Sequence, residues 1–195
     1  MAYIHDPEDI TPQMSSNTTP APNVVSASSS YSDYLPWRIF NHAGGAGNII
    51  WLTFGVPTPL NPEWIKFDFG VGNLHVINIK YIMVNIGAEA GVGDLNNPRD
   101  WLLQGSNNDA DWTTLDSQED ITWVIDEVKT FYFASPTGLA YRYCRLLITD
   151  YNPAGYPYLA MAEMELFESL EAGPADYLVQ YRRVRRPGYV AGKIV

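Results

Sequence analysis

"DWLLQGSNNDADWTTL", residues 100–115, sets Trp101 and Trp112 on either side of a run of small, polar and acidic residues. Three readings compete for it: a metal loop, an aromatic ligand platform and a buried β-hairpin. An EF-hand calcium loop opening at Asp109 needs glycine at its sixth place and glutamate at its twelfth. Those places hold Thr114 and Asp120, and the β-prone "WTTL" runs through the ligand positions. The calcium loop fails. As a hairpin the stretch works: "WLLQGS" and "WTTL" are strands, and "NNDAD" supplies turn residues whose side chains satisfy nearby backbone groups. Each tryptophan then stands at the start of a strand, where it covers one end of a core.

Working outward, the middle of the chain reads as all-β. "NVVSASS" (23–29), "NIIWLTF" (48–54), "WIKFDFG" (64–70), "HVINIKYIMVNI" (75–86), "ITWV" (121–124), "VKTFYF" (128–133) and "YRYCRLLITD" (141–150) are short runs rich in β-branched and aromatic residues. Asn61-Pro62, Gly70, Gly91 to Gly93, Pro136 and Asn152-Pro153 punctuate them, the spacing of a sandwich or barrel. "YLAMAEMELFESLE" (158–171) has the composition of a helix, yet its residues also alternate as a last core strand, which is the reading adopted here.

Length and charge bound the rest. The chain has 195 residues, 46% hydrophobic and 17% charged, material for one domain with a proper core. Its formal net charge of −10 is uneven. Residues 23–168 carry seventeen acids against seven bases, whereas residues 169–195 carry two acids against five bases. An acidic body repels phosphate, so the main domain is expected to bind neither nucleic acid nor an anionic membrane. The lone Cys144 excludes an intrachain disulfide. The sequence after Met1 lacks the basic and apolar regions of a secretory signal.

Residues 1–22, with Pro7, Pro12, Pro20 and Pro22, read as an N-terminal arm, and residues 169–195 as a basic C-terminal arm. In the latter, Tyr181, Arg182, Arg183, Arg185 and Arg186 lie in "YRRVRRPGY", read as a segment that docks on a partner. Residues 23–168 are the sandwich between.

Several stretches taken together resemble a known family. "VVSASSSYSDYLPWRIFNH", "EWIKFDFG", "NPRDWLLQGSNNDADWTTLDSQEDITW", "AYRYCRLLITDYN" and "YLAMAEMELFE" look like a coagulation-factor type C, or discoidin, domain of the galactose-binding-like superfamily. The similarity runs over roughly residues 15–168, in order. It implies an eight-stranded jelly-roll β-sandwich, closer to bacterial and phage members because the disulfide of many animal members is absent. It also implies a candidate structural calcium, at positions matching Asn41, Gly44, Asn48 and Glu163. Asn41 stands where family members often have aspartate, which weakens such a site. The competing reading makes Glu163 a buried hydrogen-bonding group and Asn41 a turn cap.

Catalytic constellations are weak. There is no nucleophile elbow and no P-loop, and a carboxylate pair such as Asp68 with Glu163 arises by chance in so acidic a chain. The resemblance implies glycan binding instead, on loops at one end of the sandwich: 31–37, 87–97 and 150–158. The candidates are Tyr34, Trp37, Asn96, Arg99, Tyr151, Asn152, Tyr156 and Tyr158, which combine stacking faces with planar polar groups.

The resulting expectation is a non-enzymatic structural protein of a bacteriophage: a head decoration, neck or tail component, made in the host cytoplasm and exposed on the virion. Its arms would dock on other virion proteins in a homo-oligomer or symmetric array, and its loops would hold surface polysaccharide. The alternative is a bacterial carbohydrate-binding module not tied to a virion.

Overall fold

A computed structural model describes residues 3–44, 50–84, 96–124, 127–133, 138–153 and 157–168. Two sheets face each other. The larger has five strands in the order β1-β3-β8-β5-β6: β1 (Val24–Ala27), β3 (Glu63–Asp68), β8 (Tyr143–Tyr151), β5 (Pro98–Ser106) and β6 (Thr113–Gln118). The smaller has three in the order β10-β4-β7: β10 (Glu163–Glu168), β4 (Ile77–Val84) and β7 (Val128–Tyr132). These eight strands match the predicted jelly-roll sandwich. A two-residue ribbon pairs β2 (Trp51–Leu52) with β9 (Ala160–Met161), and a 3-10 turn spans Pro36–Phe40. Every pairing within the two sheets is antiparallel.

Alternation builds the core. In β3, Glu63, Ile65 and Phe67 point inward, and in β8 Cys144, Leu146 and Ile148 do so. Trp101 and Leu103 of β5 join them, opposite Tyr81 and Met83 of β4, Phe131 of β7 and Met164 and Leu166 of β10. Such a face buries each large side chain for about 1.5–3 kcal/mol. Its polar atoms are satisfied in sequence: Trp101 Nε1 donates to Tyr81 Oη at 2.8 Å, which donates to Asp116 at 3.0 Å. Cys144 is buried in this core, and burial pushes its thiol up.

The opening stretch is a hairpin. β5 and β6 pair from Trp101↔Gln118 to Gly105↔Thr113, and Asn108 Oδ1 accepts from the N–H groups of Ala110 and Asp111 in the turn. Gly105 is required there, because a Cβ would lie 2.6 Å from the Tyr141 ring. Two details differ from expectation. Trp101 is buried, but Trp112 stays outside the core, with the Arg145 guanidinium 3.9 Å over its ring. "ITWV" forms no strand: Ile121 N–H donates to Arg99 O, and Trp123 Nε1 to Pro98 O at 2.7 Å, which tie the segment across the end of β5.

Residues 3–22 do not project as an arm. Met14 is 1% exposed within the main core, and its N–H donates to Phe40 O. Ile10 N–H donates to Leu166 O, and Asp9 Oδ1 accepts from Leu166 N–H, so the segment covers the open edge of β10. One well-placed methionine anchors a stretch whose composition reads as disordered. The C-terminal segment, with Tyr181, Arg182, Arg183, Arg185 and Arg186, lies outside the described residues.

Candidate functional site

Strand register brings loop 31–37 and the described parts of the other two predicted loops, residues 96–97, 150–153 and 157–158, to one end. The C-terminal ends of β1 and β8 and the N-terminal ends of β3 and β5 share that end: Ala27 pairs with Ile65, Glu63 with Ile148 and Pro98 with Tyr151. Segment 157–160 crosses it. Thr53 N–H donates to Leu159 O on one side, and Ala160 N–H donates to Asn96 O at 2.7 Å on the other. Asn152 N–H donates to Asn97 O, closing the gap to β8.

Three aromatic rings line up there. The Tyr31 ring centroid lies 5.4 Å from Tyr158 and 6.4 Å from Phe54. Tyr31 is 41% exposed and Phe54 73%. Tyr34 adjoins them through its carbonyl, which accepts Leu52 N–H, and both Tyr34 and Tyr158 rest half-buried on a cluster of Ile50, Leu52, Val84, Ala160 and Ala162. Beneath the platform, Ser28 and Ser29 hydroxyls donate to Glu63, and the Ser29 hydroxyl oxygen accepts Phe54 N–H at 3.0 Å. These bonds hold the backbone that carries Phe54.

The polar candidates fare unequally. The Arg99 guanidinium is braced by Asp120, by Asp150 at 3.2 Å and by Asp100 at 3.9 Å. It stays half-exposed, a planar donor group fixed in direction. Asn152 lies at the same end, its Nδ2 donating to Ile121 O at 2.8 Å. Asn96 is fully buried, so its side chain faces the interior and not a ligand. Trp37 and Tyr151 are half-buried and pack against the main core. Arg38 lies 5.8 Å from the Tyr34 ring and 5.9 Å from Trp37. Tyr156 lies outside the described residues.

Sequence reasoning passed over Tyr31 and Phe54. Tyr31 sits inside the quoted loop 31–37, and Phe54 ends the run "NIIWLTF" just before Gly55. A large ring at a strand's end beside a glycine turn was the available signal.

At the described calcium positions, Asn41, Gly44 and Glu163, the polar groups bond to nearby backbone. Both oxygens of Glu163 face backbone donors, His42 N–H at 3.3 Å and Gly44 N–H at 2.9 Å. Asn41 Oδ1 accepts Ala43 N–H at 2.8 Å. Donors aimed at the carboxylate occupy the space a cation's positive charge would need. Glu163 is fully buried, and burial pushes its carboxyl up to about 9 despite those two bonds. Asn48 lies outside the described residues. Among the described residues, the contacts are those of the competing reading, a buried hydrogen-bonding glutamate and a turn-capping asparagine. The Asp68–Glu163 carboxylate pair also dissolves: Asp68 is bound by Arg142 Nε at 2.7 Å and Nη2 at 2.8 Å.

No family model and no curated protein sequence matches the chain. Solved structures do. The family 32 carbohydrate-binding module of Streptococcus pneumoniae EndoD aligns at a TM-score of 0.57 and 13% identity, over 76% of this chain and 97% of that one. A family 32 module from Clostridium perfringens, solved with GalNAc-β-1,3-galactose, aligns at 0.54 and 17%, over 74% and 94%. A point mutant of chitosan-binding module 1 from a Paenibacillus sp. IK-5 chitosanase/glucanase aligns at 0.52 and 19%, over 75% and 94%. The fold is therefore the discoidin, galactose-binding-like sandwich that the sequence resembles.

Proposed function

We propose that this chain is a non-catalytic carbohydrate-binding domain whose contact face is the Tyr31–Phe54–Tyr158 platform, with Tyr34, Arg99 and Asn152 at the same end. The exposed ring row carries the proposal. Aromatic faces left in water at a sheet end are costly without a ligand, and a pyranose offers the flat C–H face that stacks on them. Fixed planar groups such as the Arg99 guanidinium supply directional bonds to hydroxyls. The fold of glycan-binding modules supports the same reading. The acidic body disfavours anionic polymers, so the ligand class is an uncharged or amino-sugar polysaccharide.

A glycan array followed by titration calorimetry tests this. Tyr31→Ala with Phe54→Ala should weaken binding about 5–150-fold, each stacked ring being worth roughly 0.5–1.5 kcal/mol. Tyr132→Ala, exposed on β7, should leave it unchanged. Equal binding by all variants sinks the platform.

Placement on a bacteriophage particle is the finer part of the proposal. The acidic body and the basic stretch 169–195 are complementary in charge, which suits linkage to other virion proteins or to further copies of the chain. Mass spectrometry of purified particles checks it. Absence from particles, with glycan binding retained, leaves the bacterial module.

A further inference from the structure

The outer face of the larger sheet is less polar than the solvent side of an antiparallel sheet usually is. Alternation turns Trp64 and Lys66 of β3 and Tyr143, Arg145 and Leu147 of β8 away from the core, and all five are half-buried. Register aligns two rows across the strands: Trp64, Leu147 and Leu102, then Lys66, Arg145 and Gln104. The apolar row and the polar row run side by side, about 7 Å apart along each strand.

Arg145 stands at the centre of the polar row and is held on two sides. Its guanidinium carbon lies 3.9 Å over the Trp112 ring, and its Nε donates to Gln104 Oε1 at 2.8 Å. Gln104 is buried, and its Nε2 donates in turn to Thr114 Oγ1 at 3.2 Å. The Nη edge is thereby fixed in direction, and among the described residues it has no protein acceptor. Five of the seven basic side chains in residues 23–168, Lys66, Lys80, Arg99, Lys129 and Arg142, form ion pairs. Arg38 and Arg145 form none among the described residues, and of these two only Arg145 lies on this face. Asp109 attracts it from a distance but gives its oxygen to Lys66 Nζ, at 2.5 Å. Burial pulls the Arg145 guanidinium below its ordinary value, the mark of a cation drawn from water without a close counter-charge.

We propose that this face is a second glycan-binding site, in which Arg145 takes the carboxylate of a uronic-acid residue whose ring rests on the Trp64–Leu147–Leu102 row. A planar guanidinium with its Nη edge fixed and unpartnered matches a carboxylate in two parallel bonds. A pyranose acid sets an anionic edge beside an apolar C–H face, as the two rows are set side by side. The acidic body repels polyanions, so the fitting ligand carries its carboxylates spaced among neutral sugars. An acidic peptide offers the carboxylate without the flat ring face, and so uses Arg145 but not the apolar row. The site shares no residue with the Tyr31–Phe54–Tyr158 platform and does not depend on it.

The test titrates the isotope-labelled full chain with an oligosaccharide that alternates glucuronic acid and N-acetylglucosamine, followed by nuclear magnetic resonance. The Arg145 Nε–H and Trp112 indole N–H signals should shift together and saturate. The carboxyl-reduced form of the same oligosaccharide should leave both in place. Arg145→Gln should weaken binding about 10–150-fold, read from the Trp112 signal, the range for hydrogen bonds to a charged group. Arg145→Lys keeps the charge and loses the planar fork, so it should restore only part of the affinity. Circular dichroism establishes that both variants fold. Unmoved signals with the acidic oligosaccharide, equal shifts with the carboxyl-reduced one, or shifts given only by a polyglutamate peptide overturn the site.

Discussion

Asp68 shows how much a single pair contributes here. Burial alone would raise its carboxyl, but the two Arg142 bonds and Gly70 N–H outweigh that and hold it below its ordinary value of 3.8. The ionised form is the one the fold favours. Its stabilisation is therefore complete above the ordinary value and lost as pH falls through the lower folded value. Asp68→Asn should cost about 1–3 kcal/mol at neutral pH and flatten the stability curve below about pH 4. Urea unfolding at stepped pH reads both, and a curve parallel to the parent's would count against the pair. Gly105 is the steric counterpart. Its missing Cβ leaves room for the Tyr141 ring, so Gly105→Ala should destabilise by about 1–3 kcal/mol, measured as a lower urea midpoint.

At the scale of elements, the N-terminal segment is the clearest dependence. β10 lies at the edge of its sheet, and residues 9 and 10 occupy its outer hydrogen-bonding groups. Met14 plugs the core beside Phe40. Met14→Ala should cost about 2–5 kcal/mol. Deleting residues 1–13 should also leave the edge open, and an uncovered edge strand is a template for pairing with another chain. Size-exclusion chromatography with light scattering should then show association beyond that of the full chain. A truncation no more associated than the full chain would show that the edge needs no cover.

The whole molecule offers one built-in probe. Cys144 is the single cysteine, 1% exposed in β8 between β3 and β5. Local fraying at the loop end does not reach it, so the reagent must wait for global opening. Thiol labelling should track the global unfolding free energy measured in urea. Faster labelling would reveal a sub-global opening of the larger sheet.

What the chain's own order determined was the sandwich. Period-2 alternation in "EWIKFD" and "YCRLLITD", the turn chemistry of "NNDAD" and the failed EF-hand positions are local facts, legible without neighbours. They also placed the loops 31–37 and 150–158 at one end, through the resemblance they carry. What tertiary structure decided was which side chains face water. Asn96 and Asn152 look alike in sequence, yet one is buried beneath Ala160 and the other lies at the rim. Tyr31 and Phe54 stand 23 positions apart and meet because Tyr31 N–H donates to Leu52 O and the Ser29 hydroxyl oxygen accepts Phe54 N–H. His5 and His42 stand 37 positions apart and stack because residues 9–14 lie along β10 and the 3-10 turn. Local pattern fixes the period of a strand, but burial and long-range contact depend on which strands the loops bring together, and that information is spread over the whole chain.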